Sequence, residues 1–127
     1  MYEIKVESTH LDKFGHVNNA VYLEYLEWAR WDWAEKLGMD FDSFLEKGKG
    51  PALVGINVSF LKELYFRDRI KIQTLFAKRG GKSFTLEQKI YNDEKDMVCK
   101  ALATIVFIDM EKREAIELPS EIIEKLS

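Results

Sequence analysis

Apolar and polar residues alternate over several short stretches of this chain, a pattern typical of half-buried β-strands. The alternation starts at Tyr2, Ile4 and Val6 and returns in residues 53–61, 69–77, 83–91 and 98–109. Turn-forming sequences such as K-R-G-G-K and N-D-E-K-D separate the later stretches. Because these connections are short, we expect the last four strands to form an antiparallel meander, which makes a sheet of five strands.

A different period, of three and four residues, runs through residues 19–37 and predicts one long helix. Gly38 follows at the position where helices commonly end. Tyr25, Trp28 and Trp31 lie off the main apolar stripe, so we expect this helix to be buried on several sides by a sheet wrapped around it. Short helices are predicted at residues 42–47 and in the closing P-S-E-I-I-E-K-L. The predicted fold class is therefore α+β.

The composition predicts one globular domain over residues 1–127, because 46% of its residues are hydrophobic and 32% are charged. Eight Phe, five Tyr and three Trp are many to bury in so small a core, so we expect a homo-oligomer, a dimer or a dimer of dimers. A net charge of −3 and the lack of a long basic face argue against nucleic acid as a partner.

The compartment is predicted from what the sequence does not contain. No stretch has the roughly 18 to 20 apolar residues of a membrane span, and M-Y-E-I-K-V-E lacks the apolar run of a signal peptide. The single cysteine, Cys99, excludes an internal disulfide, and its alternating strand predicts a small core residue. We expect a cytoplasmic protein without a membrane partner. One cysteine and two histidines form no recognised ligand set, so no metal and no cofactor are expected.

Candidate chemistry lies directly before the long helix, in D-K-F-G-H-V-N-N-A-V-Y. Gly15 admits backbone conformations closed to other residues, and Asn18 and Asn19 are both good N-cap residues. The first-turn N–H groups of a helix carry the positive end of its dipole. The Asp12 carboxylate and a developing oxyanion therefore fit one small space. A plain turn followed by a helix cap is the alternative, and the residues alone leave it open.

This stretch resembles the signature of the 4-hydroxybenzoyl-CoA thioesterase-like hotdog proteins, D-x-x-G-H-V-N-N-x-x-Y ahead of the central helix. The order of one strand, a long helix and four strands is also that of the hotdog fold. The resemblance implies an acyl-CoA thioesterase whose subunits join their sheets and share active sites at the interface. In relatives the carboxylate at the Asp12 position acts on the thioester, and the amide at the Asn19 position polarises its carbonyl. His10 stands where many relatives carry a second Asp.

Thioester chemistry assigns roles to these residues. Asp12 would act as a general base on water or as a nucleophile, and the sequence leaves both open. Asn19 would contribute its backbone N–H as oxyanion donor, and Gly15 would let the loop approach the thioester. His16 is a further catalytic candidate, with a purely loop-positioning role as its alternative. The helical Glu24 and Glu27 are weaker candidates, and Glu27 has a simpler role as the ion-pair partner of Arg30.

Two regions are candidates for binding the substrate. Tyr22, Tyr25 and Phe60, with Trp28, Trp31 and Leu61 nearby, would line an acyl or aryl pocket, although core packing is the ordinary role of most such residues. Arg79 and Lys82, in the turn K-R-G-G-K-S, suit the phosphates of coenzyme A, unless the turn is simply solvated. An acyl-carrier-protein thioesterase and a non-catalytic acyl-binding module remain alternatives, while the D-x-N-P-x-H arrangement of hotdog hydratases is absent.

Overall fold

The computed structural model describes residues 1–126, which form an α+β fold with one antiparallel sheet of six strands. The strands are β1 (Tyr2–Lys5), β2 (Lys49–Phe60), β3 (Arg69–Arg79), β4 (Ser83–Tyr91), β5 (Met97–Asp109) and β6 (Glu114–Ile116). The helices are α1 (Asn19–Lys36), α2 (Phe41–Glu46) and α3 (Ser120–Leu126), and a 3₁₀ turn spans Ser8–His10. Among the described residues, no helix is both long and apolar enough to cross a membrane.

The strand order across the sheet is β1, β3, β4, β5 and β2, with β6 paired to the far end of β5. The predicted four-strand meander is therefore wrong for β2, which pairs with β5 instead of β3. The length of the connection from β2 to β3 explains this pairing. It has the eight residues 61–68, too many for the tight turn of a hairpin, and its Leu64 is buried in the core. This connection carries the chain from one side of the sheet to the other. The sixth strand, β6, was not predicted.

The core lies between α1 and one face of the sheet, as the period-two pattern of the strands requires. One cluster centres on Tyr25 and Leu26 of α1, and a second on Phe107 of β5 and Ala34 near the end of α1. The helix does not bury its whole circumference within the described chain, because Trp28 and Trp31 are exposed. The prediction of a helix enclosed on several sides is therefore not met by a single chain.

Candidate functional site

The Asp12 loop folds back on itself immediately before α1. The backbone N–H of Asp12 donates to the His16 carbonyl (2.8 Å). In return, Asp12 Oδ1 accepts hydrogen bonds from the N–H groups of Phe14 (2.8 Å) and His16 (3.3 Å). No described residue donates to the second carboxylate oxygen, Oδ2, or forms an ion pair with it. One oxygen therefore holds the loop while the other is available for chemistry.

The turn depends on Gly15, whose φ is +86°, in the left-handed region that favours glycine. A Cβ at this position would meet no atom within 4 Å. The glycine is therefore required by the backbone conformation and not by a lack of space. The chain then enters α1 through Asn18, whose side-chain oxygen accepts from the Ala20 N–H (2.8 Å). Asn18 is thus the N-cap, and Asn19 is the first helical residue. The Asn19 N–H makes no hydrogen bond to any described residue.

The imidazole of His16 makes no described hydrogen bond to the Asp12 carboxylate and contacts Glu63 and Tyr65 instead. Its Nε2 lies 3.3 Å from Glu63 Oε2, and its ring packs edge-on against Tyr65 with centroids 5.5 Å apart. Only the His16 main chain reaches Asp12, through the bonds at both ends of the turn. This geometry favours the positioning role over direct participation of the ring.

His10 anchors the Asp12 loop to α1. Its Nδ1 accepts hydrogen bonds from the Glu7 N–H (3.1 Å) and from the hydroxyl of the buried Tyr25 (2.7 Å). Because a backbone N–H can only donate, Nδ1 must carry a free lone pair, and the ring proton of the neutral imidazole lies on Nε2. The His10 carbonyl also accepts from the Asn18 N–H (3.0 Å). These contacts favour the structural role predicted for His10.

Most of the aromatic residues predicted to line an acyl pocket lie together near the Asp12 end of α1, and only Trp31 lies apart. Tyr22 and Phe60 meet edge-on near the Asp12 end of α1, with centroids 5.2 Å apart. Tyr22 is buried, which raises the pKa of its hydroxyl to about 12, whereas Phe60 is 47% exposed. Tyr25 belongs to the same core cluster as Tyr22, with ring centroids 6.4 Å apart, and it bonds to His10. Trp31 lies farther along α1, against Phe41.

Arg79 is the last residue of β3, and Lys82 lies in the turn between β3 and β4, so both are at the end of β3 away from Asp12. The chain just before β3 packs on the Asp12 loop. β3 has 11 residues, so its two ends are about 33 Å apart at the usual rise of a strand. The carboxylate of Glu117 also packs against Gly81 in this turn. The structure therefore does not bring the two cations to the Asp12 of the same chain.

Two further polar or reactive side chains, those of Cys99 and Gln88, lie in the core. Cys99 is fully buried, and burial raises the pKa of its thiol to about 11, which confirms the predicted core role. Gln88, which the motif reasoning did not consider, is also fully buried. Its oxygen accepts a hydrogen bond from Arg30 Nη1 (3.1 Å). The expected ion pair between Arg30 and Glu27 is not found among the described residues. The signal for Gln88 was an amide at an inward position of the otherwise apolar alternation in β4.

Known proteins are similar to this chain in sequence and in architecture. Residues 6–126 match the thioesterase-like superfamily. The long-chain acyl-CoA thioesterase FadM of Escherichia coli (strain K12) is 38% identical over 125 residues, which are 98% of this chain and 94% of that protein. The chloroplastic acyl-acyl carrier protein thioesterase ATL3 of Arabidopsis thaliana is 29% identical over 97% of this chain and 65% of its own length. A DHNA-CoA thioesterase from Staphylococcus aureus has the same fold, with a TM-score of 0.92 at 20% identity over 98% of this chain and 85% of that one.

Proposed function

Because the chain belongs to the thioesterase-like superfamily, we propose that it hydrolyses an acyl-CoA thioester with Asp12 as the acting carboxylate. The assignment of Asp12 rests on the different hydrogen bonding of its two carboxylate oxygens. Oδ1 is held by two backbone N–H groups, and Oδ2 has no partner among the described residues, at the point where α1 begins. A carboxylate held in this way is oriented without being neutralised.

The free oxygen of Asp12 serves either of two routes to the same products. As a general base, it takes a proton from water, and the resulting hydroxide attacks the thioester carbonyl. As a nucleophile, it attacks that carbonyl itself and forms a mixed anhydride, which water then opens. In both routes the C–S bond breaks, the thiolate of coenzyme A takes up a proton, and the acyl group leaves as a free acid.

The backbone N–H of Asn19 is the proposed oxyanion donor. It has no described acceptor, whereas Ala20 and Val21 in the same turn donate to Asn18. An unpaired first-turn N–H carries the positive end of the helix dipole. Donation of this kind contributes about 10²–10³ in rate in other acyl-transfer enzymes. Gly15 and the main chain of His16 would then position Asp12, and Tyr22 and Phe60 would contact the acyl group near it.

A second copy of the chain is the partner that we infer for the outer edge of β2. This strand has 12 residues and, within residues 1–126, pairs with β5 alone, so its other edge presents unpaired backbone groups. Leu53 and Val54 are exposed along it, as Trp28 and Trp31 are on α1. Pairing of β2 with its symmetry mate would cover this edge and extend the sheet across both subunits. α1, which contributes to both core clusters, would then be the central helix of the hotdog arrangement.

An acyl-carrier-protein thioesterase is the second candidate, because ATL3 is similar over almost the whole of this chain. The same Asp12 chemistry would apply, and only the group that carries the thiol would differ. Steady-state kinetics with acyl-CoA and with the matching acyl-carrier protein distinguish the two, since the true carrier should give the higher kcat/KM.

Two substitutions of Asp12 test the assignment. Asp12→Asn keeps an acceptor oxygen for the N–H groups of Phe14 and His16 but removes the base and nucleophile, so we expect turnover to fall by about 10²–10⁴ with little loss of stability. Asp12→Ala also removes the two loop bonds and should cost a further 1–2 kcal/mol or so of folding stability. Thiol release from a panel of acyl- and aryl-CoA esters measures turnover. Near-native turnover of Asp12→Asn would refute the proposal.

A further inference from the structure

The connection between β2 and β3, residues 61–68, is firmly attached to the rest of the fold. Lys62 Nζ forms an ion pair with Asp96 Oδ2 (2.9 Å), and the side chain of Leu64 is fully buried in the core. Glu63 lies between these two anchored residues. Its main chain is therefore held in place, although its side chain reaches the surface.

The same connection runs beside the Asp12 loop. The Leu64 carbonyl accepts a hydrogen bond from the Val17 N–H (2.9 Å), and Tyr65 forms an antiparallel β-bridge with His16. The two segments are more than 40 residues apart in the sequence and meet only in the folded chain. The loop that carries Asp12 is therefore supported by an element outside its own turn.

One carboxylate oxygen of Glu63 makes two contacts with these segments. Oε2 accepts a hydrogen bond from the Tyr65 hydroxyl (2.7 Å) and lies 3.3 Å from His16 Nε2. The hydrogen bond to Glu63 raises the pKa of the Tyr65 hydroxyl, which therefore stays protonated as the donor at neutral pH. His16 Nε2 carries a proton in the imidazolium and in one neutral tautomer, so it donates to the carboxylate in either state of charge. The contact does not require a charged histidine.

His16 connects Glu63 to Asp12 through its main chain. The His16 N–H donates to Asp12 Oδ1 (3.3 Å), and its carbonyl accepts from the Asp12 N–H (2.8 Å). Among residues 13–16, all of which the structure describes, only the His16 side chain forms a hydrogen bond or an ion pair with another element. The adjoining Gly15 leaves the backbone free to adopt other conformations. The internal bonds therefore keep the shape of the loop, and the His16 side chain fixes its orientation against the rest of the fold.

The contact between His16 and Glu63 should matter more for catalysis than for stability. The two side chains are 35% and 57% exposed, and ion pairs in contact with solvent add little to the free energy of unfolding. Small errors in position are nevertheless costly for a reaction, because displacement of a reacting group by about 1 Å can lower the rate about 10²-fold. A large kinetic effect with a small change in stability is therefore the signature of this contact.

We propose that Glu63 is a positioning residue of the thioester reaction, which holds the Asp12 loop at the start of α1 through the side chain of His16. This inference rests on the proposed role of Asp12, and Glu63 itself does not contact the substrate. The free oxygen of Asp12 belongs to the loop, whereas the Asn19 N–H belongs to the first turn of α1. A loop that is held from outside keeps these two groups at a constant separation, as attack on one carbonyl requires.

Two substitutions of Glu63 distinguish its hydrogen bonds from its charge, with the best substrate of the acyl-CoA panel and thiol release as the assay. Glu63→Ala should lower kcat about tenfold and leave KM almost unchanged, because the contact acts on Asp12 and not on bound substrate. Glu63→Gln keeps an acceptor oxygen and should stay within about threefold of the native kcat. Glu94→Ala removes the same charge from an exposed turn and is the matched control, with native kinetics expected. A native kcat in Glu63→Ala, or equal losses in the Ala and Gln variants, would overturn the proposal.

A double-mutant cycle tests whether Glu63 acts through His16. His16→Ala removes the side chain that meets Glu63 and should lower kcat about as much as Glu63→Ala does. The double variant should then be no slower than either single variant, because both substitutions remove the same contact. If the two losses in kcat multiply instead, Glu63 does not act through His16, and the proposal is wrong.

Amide hydrogen exchange of residues 12–19 gives a measurement that does not depend on turnover. The N–H groups of Phe14 and His16 are bonded to Asp12, so their exchange reports on the loop. We expect this segment to exchange about threefold faster in Glu63→Ala and at the native rate in Glu63→Gln. Native exchange in Glu63→Ala would overturn the inference. Native turnover of Asp12→Asn would instead refute the role of Asp12, and the exchange result would still show whether Glu63 holds the loop.

Discussion

Because Tyr25 and His10 are hydrogen-bonded, the effect of Tyr25→Phe on stability should depend on which residue occupies position 10. In the native protein, Tyr25→Phe removes a buried hydroxyl that donates to His10 Nδ1 at 2.7 Å, while the Glu7 N–H still satisfies that nitrogen. We expect a cost of about 1 kcal/mol in the free energy of unfolding, the usual net value of such a bond.

His10→Leu should cost more, because it leaves the hydroxyl of Tyr25 buried without an acceptor. An unsatisfied buried polar group costs about 1–3 kcal/mol. Once that penalty is present, Tyr25→Phe removes the orphaned hydroxyl and should be neutral or stabilising. His10→Asn is the matched control, since its amide oxygen replaces the Nδ1 acceptor, and Tyr25→Phe should again be destabilising in that background.

Urea unfolding of the single and double variants at pH 8 and fixed protein concentration measures this cycle. A coupling energy of roughly 1–3 kcal/mol between His10 and Tyr25 is expected. If Tyr25→Phe costs the same in the native, His10→Leu and His10→Asn proteins, the two side chains are not coupled and their hydrogen bond does not contribute to stability. Thioester turnover should also fall further in His10→Leu than in His10→Asn, because only the former loosens the anchor of the Asp12 loop.

Three other outcomes are expected. Burial raises the pKa of the Cys99 thiol to about 11, so the stability that it contributes is complete below the pKa of the unfolded thiol and is lost as the pH rises through 11. In urea unfolding at increasing pH, Cys99→Ala should remove about 2–3 kcal/mol of this alkaline loss of stability. If Arg79 and Lys82 bind the coenzyme A phosphates of the neighbouring subunit, mixing Asp12→Asn with Arg79→Ala/Lys82→Ala subunits should restore the native KM for acyl-CoA, whereas an unchanged high KM would exclude this arrangement. Gly15→Ala should destabilise by about 1–2 kcal/mol through its positive φ alone, and an unchanged urea midpoint would show that the loop adopts another conformation.

The parts of the fold that depend on neighbouring residues were predictable from the sequence. The period of three and four residues and Gly38, whose φ is +77°, predicted α1 to within one residue of its observed end at Lys36. The alternation likewise predicted five of the six strands, all but β6, because it records which side of a strand faces the core. The Asp12 loop was predictable for the same reason, since its turn, its glycine and its helix cap all lie within eight residues.

Long-range pairing was not predictable in this way. Alternation predicted that β2 is a strand but not that it lies beside β5, because any strand with the right inward face satisfies the same pattern. The partner of Arg30 shows the same limit: Glu27 is adjacent on the helix surface, yet the hydrogen bond goes to Gln88, 58 residues away. Whether a charged side chain meets a neighbour or a distant amide depends on which strands lie under the helix.

The sequence by itself determined the elements of this protein, the Asp12 motif and the class of chemistry that the motif supports. Only the tertiary structure decided that Asp12 has one free oxygen, that His10 and Tyr25 anchor its loop, and that Arg79 and Lys82 lie at the far end of β3. The physical reason is the range of the interactions. Turns, caps and periodicity act between residues a few positions apart, whereas burial and hydrogen-bond partners are set by segments that meet only after the sheet has formed.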